Sequence, residues 1–156
     1  MSDPATSGPA TLASMAGIDV MRGLLEGRLP APPAIGLIGI TLTEVDPGRV
    51  VMRLTPGPQH ANPMGTMHGG MLATLLDSVM GCAVHTTLAP GSSYSTLEIK
   101  VNYIRAVTPA SGELAGEGKV VHAGRRSAVA EGRVIDAKGR VVATASTTCI
   151  ILESAS

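Results

Sequence analysis

Gly69-Gly-Met-Leu-Ala-Thr-Leu-Leu-Asp-Ser-Val-Met-Gly-Cys-Ala-Val-His-Thr-Thr-Leu88 is the stretch that decides the fold. On a helical wheel its apolar residues cover well over half of the circumference, which is typical of a helix that is buried on nearly all sides. Asp77 lies at the border of the apolar arc, beside small residues. A carboxylate in such a helix lowers stability unless it has a partner or a function. Asp77 therefore either bonds another segment, faces solvent or serves a ligand.

A polar loop, Asn62-Pro-Met-Gly-Thr-Met-His68, comes directly before Gly69 and Gly70. The start of a helix presents unpaired N–H groups and the positive end of the helix dipole, which stabilise a developing negative oxygen. Glycines let a carbonyl group approach those N–H groups closely. The pattern fits an oxyanion-binding site, and it equally fits a simple tight turn.

Gly69 and Asp77 are eight residues apart, which corresponds to about 12 Å of rise along a helix. One carbonyl group cannot reach both residues of the same subunit. Either the site uses a different carboxylate, or a second subunit supplies it.

The rest of the chain predicts one α+β domain. Apolar residues at spacings of three and four indicate a helix over residues 12–28. Alternation with a period of two then predicts strands at 35–46, 49–55, 94–107, 112–122, 126–136 and 140–152. This order predicts an antiparallel sheet wrapped around the central helix, with the last four strands in a meander. Residues 1–11 are expected to be a disordered tail, and residues 12–152 a single domain.

Composition restricts the partners. Twelve basic and twelve acidic residues give no net charge, which argues against nucleic acid or an anionic membrane as the main partner. No secretion signal or membrane span is visible in the sequence, so a cytoplasmic protein is expected. The core lacks Phe and Trp, which favours an oligomer that buries further surface between subunits. No His or Cys pair has the spacing of a metal site, and the chain lacks a nucleophile elbow, a P-loop and a Rossmann glycine pattern.

The string from Asn62 through Gly65 and His68-Gly69-Gly70 to Asp77 resembles the hotdog-fold acyl-CoA thioesterases of the phenylacetate-degradation (PaaI-like) branch. The segments at 27–33, 100–105 and 124–126 share the resemblance, which extends over residues 17–152. It implies a sheet wrapped around the helix, subunits that pair edge to edge in a homodimer or a dimer of dimers, and active sites that straddle the interface. It also implies an acyl-CoA substrate, with coenzyme A as part of the substrate and no cofactor or metal.

By the same resemblance, Asp77 corresponds to the catalytic carboxylate, which acts as general base or as nucleophile. Gly69 corresponds to the backbone oxyanion donor, and Gly70 follows it in the substrate-binding loop. Asn62 corresponds to the amide that places the thioester or the water, and His68 to a residue that orients the loop.

Three further residues belong to the predicted substrate site. Thr96 corresponds to a hydroxyl that positions the attacking water, with Ser95 as the alternative. Arg125 and Arg126 follow a glycine turn, where guanidinium groups suit the phosphates of coenzyme A. A solvated turn is the other reading of this Arg pair.

Two other functions fit the same fold. A hotdog dehydratase or hydratase pairs a His with an acidic residue and lacks this spacing of His-Gly-Gly and Asp. A non-catalytic acyl-CoA-binding protein needs an output module, which the first thirty-odd residues do not resemble. The resemblance therefore favours a thioester hydrolase, and it leaves the acyl group open.

Overall fold

The computed structural model describes residues 12–153; the tail predicted over residues 1–11 lies outside them. Within residues 17–153, three α-helices and six strands follow one another. They are α1 (Gly17–Leu25), α2 (Pro33–Ile38), β1 (Ile40–Asp46), β2 (Arg49–Leu54), α3 (Gly69–His85), β3 (Ser92–Tyr103), β4 (Leu114–Ala123), β5 (Ser127–Ile135) and β6 (Val141–Glu153).

The six strands form one antiparallel sheet in the order β1-β2-β4-β5-β6-β3. The apolar face of the sheet packs against α3, whose Leu75, Leu76, Val79 and Met80 are completely buried. The predicted α+β class, with a sheet around a central helix, is confirmed. No helix within residues 12–153 combines the length and apolar character that crossing a membrane requires.

Glycines in the middle of the sheet set the distance between sheet and helix. A Cβ atom at Gly118 of β4 would lie 2.3 Å from the backbone of Val79 in α3. A Cβ atom at Gly132 of β5 would lie 2.9 Å from the side chain of Met80. Only glycine allows this approach, so these strands lie directly beneath the helix.

Three sequence predictions are corrected by the fold. The strand predicted from residue 35 begins only at Ile40, because residues 33–38 form α2. Pro33 starts that helix, and Gly39 ends it with a φ of 81°. The predicted meander of four strands is also wrong, since β3 pairs with β6 and not with β4. The helix predicted over residues 12–28 is shorter, because α1 covers Gly17–Leu25.

The placement of β3 at the edge of the sheet matters for assembly. This strand has 12 residues, and within the described chain β6 is its only neighbour. Leu97 on this strand is 62% exposed and Tyr103 at its end is 54% exposed. A long edge strand with exposed apolar side chains is a surface on which a second chain can pair.

Candidate active site

The carboxylate of Asp77 faces β3 from the middle of α3. The hydroxyl of Thr96 donates a hydrogen bond to Asp77 Oδ1 at 3.0 Å. Within residues 12–153, Oδ2 accepts no hydrogen bond from the protein, and no side-chain oxygen there is both buried and unpartnered. Oδ2 is therefore open to an incoming molecule. Ser95, the alternative to Thr96, is exposed on the opposite face of the strand.

The start of α3 is organised by His68, which is its N-cap residue. His68 Nδ1 accepts a hydrogen bond from the Gly70 N–H at 2.9 Å. Because Gly70 already has this acceptor, its N–H is not free to bind a substrate. Gly69 is the first residue of the helix, and within residues 12–153 its N–H donates no hydrogen bond to the protein. The geometry therefore separates the two glycines and leaves Gly69 as the available donor.

The peptide group between Gly69 and Gly70 is held at both ends. His68 binds its N–H, and the hydroxyl of Tyr103 donates to its carbonyl oxygen, Gly69 O, at 2.9 Å. The ring of Tyr103 also lies 3.1–3.3 Å from the position that a Cβ atom of Gly69 would occupy. These contacts fix the orientation of the first turn of α3.

Asn62 organises the loop from within. Its Oδ1 accepts hydrogen bonds from the N–H groups of Met64 and Thr66 at 2.9 and 3.3 Å. Its Nδ2 donates to Thr66 Oγ1 at 2.8 Å, so one of its two amide hydrogens is still available for a ligand. In the structure, Asn62 and His68 both shape the loop that presents Gly69.

Gly69 and Asp77 lie on the same unbroken helix, α3, which spans 17 residues. Their separation is eight residues, or about 12 Å of rise. The described chain therefore brings Thr96 to Asp77, and Tyr103 and His68 to Gly69, but it keeps these two groups of residues apart.

The comparison with known proteins identifies the family of this chain. The family model of the thioesterase superfamily matches residues 64–143, half of the chain, and covers both Gly69 and Asp77. The chain belongs to this superfamily. As a member of it, and with PaaI-like neighbours, the protein is a hotdog thioester hydrolase.

Three relatives illustrate the family. A phenylacetic acid degradation-related protein from Ralstonia eutropha is 31% identical, with a TM-score of 0.76 over 83% of this chain and 98% of that chain. The human acyl-coenzyme A thioesterase 13 is 36% identical over 67 residues, which are 42% of this chain and 46% of the human protein. The proofreading thioesterase EntH of Klebsiella pneumoniae is 29% identical over 66% of this chain and 74% of its own.

A second cluster of this thioesterase lies along α3 beyond Asp77. A Cβ atom at Gly81 would lie 2.6 Å from the hydroxyl of Tyr94, so this glycine leaves room for the Tyr94 side chain. The Tyr94 ring also contacts His85, with ring centroids 5.8 Å apart. Burial raises the pKa of Tyr94 and lowers the pKa of His85. Both groups are therefore neutral near pH 7.

Cys82 is not a nucleophile in this cluster. Burial, with a smaller contribution from the negative charge of Asp77, raises the pKa of its thiol to about 12. Nucleophilic attack requires the thiolate, which is scarce near pH 7 when the pKa is this high.

Arg125 and Arg126 lie in the turn between β4 and β5 and are exposed. Together with Ile151 and Glu153 they line a shallow cavity of about 270 Å³. Within residues 12–153 neither Arg is in an ion pair with a carboxylate. The backbone carbonyl of Arg126 accepts a hydrogen bond from the Ile151 N–H at 3.0 Å, and Ile151 pairs with Tyr94 on the edge strand. Arg125 and Arg126 therefore lie at the same end of the sheet as Tyr94.

Sequence reasoning missed two residues that shape the site. Tyr103 was noticed only as part of a family motif, although its hydroxyl binds Gly69. His60 is buried beneath the loop, where Nδ1 accepts from the Gly57 N–H at 3.0 Å and Nε2 lies 2.8 Å from the Ile38 carbonyl oxygen. A His in a loop between prolines was the only sequence signal for this anchor.

Proposed function

We propose that this thioesterase hydrolyses an acyl-CoA thioester to the free acid and coenzyme A, at a site shared by two subunits. Asp77 of one subunit acts on the thioester carbonyl group, and the backbone N–H of Gly69 from the partner subunit binds the carbonyl oxygen. The observation that carries the proposal is the pair of separated half-sites on one rigid helix, α3. Each half-site has an unused group, Asp77 Oδ2 and the Gly69 N–H.

The edge strand β3 supports the shared site. If two β3 strands pair antiparallel, the sheet continues across the interface and the exposed Leu97 and Tyr103 become covered. Thr96 on the same strand donates a hydrogen bond to Asp77, so the strand proposed to form the interface also positions the carboxylate. A homodimer is the smallest active unit in this proposal, and two dimers can associate further without changing it.

The proposed chemistry uses water as the second reactant and no metal or redox cofactor. With Asp77 as general base, the carboxylate accepts a proton while the water oxygen bonds to the carbonyl carbon. The carbonyl oxygen becomes negative and accepts a hydrogen bond from the Gly69 N–H of the partner subunit. The C–S bond then breaks, and the leaving thiolate of coenzyme A takes up the proton from Asp77.

Asp77 can also act as the nucleophile. In that route its oxygen attacks the carbonyl carbon, the C–S bond breaks, and a mixed anhydride forms that water then hydrolyses. The hydrogen bond from Thr96 leaves Oδ2 free for either route. A single turnover in ¹⁸O-labelled water distinguishes them, because attack of water on the Asp77 side of the anhydride leaves the label in the protein.

Coenzyme A itself is proposed to bind near Arg125 and Arg126, which offer two exposed guanidinium groups to its phosphates. Replacing both by Gln should raise KM for acyl-CoA while kcat changes little. An unchanged KM would remove this pair from the proposal.

The first experiment tests the carboxylate. Asp77→Asn keeps the shape of the side chain and its hydrogen bond with Thr96, but it cannot accept a proton or attack a carbonyl carbon. We expect turnover of acyl-CoA, measured by thiol release, to fall by several orders of magnitude with an unchanged melting temperature. Full activity of Asp77→Asn on every hydrolysed thioester would refute this role of Asp77.

The second experiment removes the oxyanion donor alone. Gly69 is the first residue of α3, a position that accepts proline, and His68 has the extended backbone that a residue before proline requires, with φ −60° and ψ 131°. Gly69→Pro therefore deletes the N–H group and keeps the helix start. Gly69→Ala is the matched control, because it brings the same contact with Tyr103 and keeps the N–H. We expect kcat of Gly69→Pro to be roughly 10²–10³-fold below that of Gly69→Ala, whereas equal kcat values would argue against an oxyanion role.

The third experiment tests whether the site is shared. Asp77→Asn and Gly69→Pro homodimers should each have strongly reduced activity, but a heterodimer contains one site with both wild-type groups. Random mixing of equal amounts should restore about a quarter of the wild-type sites. If refolded or co-expressed mixtures stay inactive, both groups act within one subunit.

A further inference from the structure

A cavity of about 340 Å³ lies beneath the N-terminal helices. It is enclosed by α1, α2 and the first two strands on one side and by α3 on the other. None of the described residues that line it is charged. Its main walls are apolar side chains, together with one thiol: Met21, Leu24, Ile35, Leu42, Met52 and Cys82.

Cys82 connects this cavity to the catalytic helix. It lies five residues after Asp77 on α3, which corresponds to about 7.5 Å along the helix axis. The negative charge of Asp77 contributes to the raised pKa of the Cys82 thiol, which agrees with the short distance between the two side chains. An acyl chain of several carbon atoms is therefore long enough to extend from a carbonyl group held at Asp77 to Cys82 in the cavity wall.

The uncharged, mainly apolar lining favours an apolar ligand. An uncharged, apolar cavity does not compensate for the desolvation of a charged or strongly polar group. Met21 and Met52 can adjust their side chains to different shapes. A dry apolar cavity of about 150 Å³ is sufficient for benzene, so about 340 Å³ accommodates an apolar group of roughly twice that size.

We propose that this cavity binds the distal part of the acyl group and that the enzyme prefers apolar acyl chains of medium length. This inference rests on the proposed function and adds the substrate class to it. Short acyl groups end before Cys82 and gain nothing from the cavity. Chains longer than the cavity extend beyond its apolar walls.

The test is a series of acyl-CoA substrates: butyryl, hexanoyl, octanoyl, decanoyl and palmitoyl, with 2-naphthoyl-CoA as the aromatic member. We expect kcat/KM to rise up to about fourfold for each methylene group that enters the cavity, to level off near decanoyl, and to fall for palmitoyl. A higher value for 2-naphthoyl than for decanoyl would assign the cavity to aromatic acyl groups. The same kcat/KM for all members would overturn the proposal.

Two exposed alanines provide a matched pair of variants. Ala31 lines the cavity, whereas Ala34 is exposed on α2 and does not line it. Ala31→Trp should lower kcat/KM for octanoyl-CoA by at least about tenfold and leave butyryl-CoA unchanged. Ala34→Trp should behave as the wild type with both. An equal effect of Ala31→Trp on both substrates would overturn the proposal, while hydrolysis of butyryl-CoA that still depends on Asp77 would leave the proposed function standing.

Binding gives a second measurement that does not require turnover. Asp77→Asn protein should bind octanoyl-CoA more tightly than butyryl-CoA in calorimetric titration, and adding Ala31→Trp should abolish the difference. If the two ligands bind equally well to Asp77→Asn, the cavity is not an acyl site. If the wild type hydrolyses none of the thioesters, the proposed function fails as well.

Discussion

The hydroxyl of Tyr103 donates a hydrogen bond to the carbonyl oxygen of Gly69 at 2.9 Å, and the Tyr103 ring covers the same glycine. Tyr103 ends the edge strand β3, and Gly69 begins the central helix α3. This contact therefore joins the proposed subunit interface to the proposed oxyanion donor. Pairing of the edge strands and orientation of the Gly69 N–H are coupled through one side chain.

Tyr103→Phe distinguishes the contribution of the Tyr103 hydroxyl from that of its ring. The Phe ring keeps its packing on Gly69, so the melting temperature should not change. Loss of the hydrogen bond lets the first turn of α3 reorient, and small displacements of a catalytic group cost up to about a hundredfold in rate. We expect kcat for a short acyl-CoA to fall about tenfold with KM unchanged. The same kcat as wild type, or a loss explained by a lower melting temperature, would limit Tyr103 to a structural role.

The close approach of sheet and helix makes a prediction about stability. Gly118→Ala places a Cβ atom 2.3 Å from the backbone of Val79, and a helix backbone cannot move aside as a flexible side chain can. The free energy of unfolding should fall by about 3 kcal/mol. Gly36→Ala is the control, because a Cβ atom there meets no described atom within 4 Å outside its chain neighbours and the backbone of its own helix, and helical Ala is favoured over Gly by about 1 kcal/mol. Chemical denaturation of both variants should give changes of opposite sign.

The sequence was sufficient to predict the elements that have a strong periodic pattern. The buried helix was recognised because its apolar residues surround it, and α3 was found to start at Gly69 as predicted. The position of β3 was not predictable from periodicity, because alternation identifies a strand but not its neighbour in the sheet. The glycines of β4 and β5 place these two strands under α3, but they do not identify β6 as the neighbour of β3.

The sequence also predicts some residues of the candidate site but not the contacts between them. Asp77 was recognised because a carboxylate in an apolar helix is costly. Its contact with Thr96, the anchor His60 and the bond from Tyr103 to Gly69 all join residues that are 19 or more positions apart in sequence. Such contacts depend on the sheet order, so local patterns could not predict them without the fold.

His60 should be essential for the loop that carries Asn62 and His68. Its ring bridges the Gly57 N–H and the Ile38 carbonyl, and its own carbonyl accepts from the His68 N–H at 2.8 Å. His60→Ala leaves the first two groups, which are partly buried, without this partner, and we expect a loss of about 2 kcal/mol in the free energy of unfolding. His122→Ala, at an exposed His of β4, should leave stability unchanged. Equal stability of both variants would show that water replaces the ring.

Asp136, in the turn before β6, should make the free energy of unfolding depend on pH in the acidic range. Asp136 accepts hydrogen bonds from the Arg140 side chain and from the backbone N–H groups of Arg140 and Lys138 at 2.8–3.0 Å. The bond with the Arg140 guanidinium, followed by these backbone bonds, holds the pKa of this carboxyl below its usual range. A carboxyl with a lowered folded-state pKa contributes stability above its unfolded pKa, near 3.9, and loses that contribution as the pH falls through the lower folded value.

Asp136→Asn should therefore reduce the free energy of unfolding at pH 7 and flatten its decline in acid. The difference from wild type should shrink as the pH falls from about 5 toward the folded-state pKa. Arg140→Gln removes the main cause of the shift and should reduce the same slope in part, since both backbone N–H groups remain. Urea denaturation at a series of pH values measures the three profiles. Parallel curves for wild type and Asp136→Asn would show that this carboxylate does not contribute to the acid sensitivity of the fold.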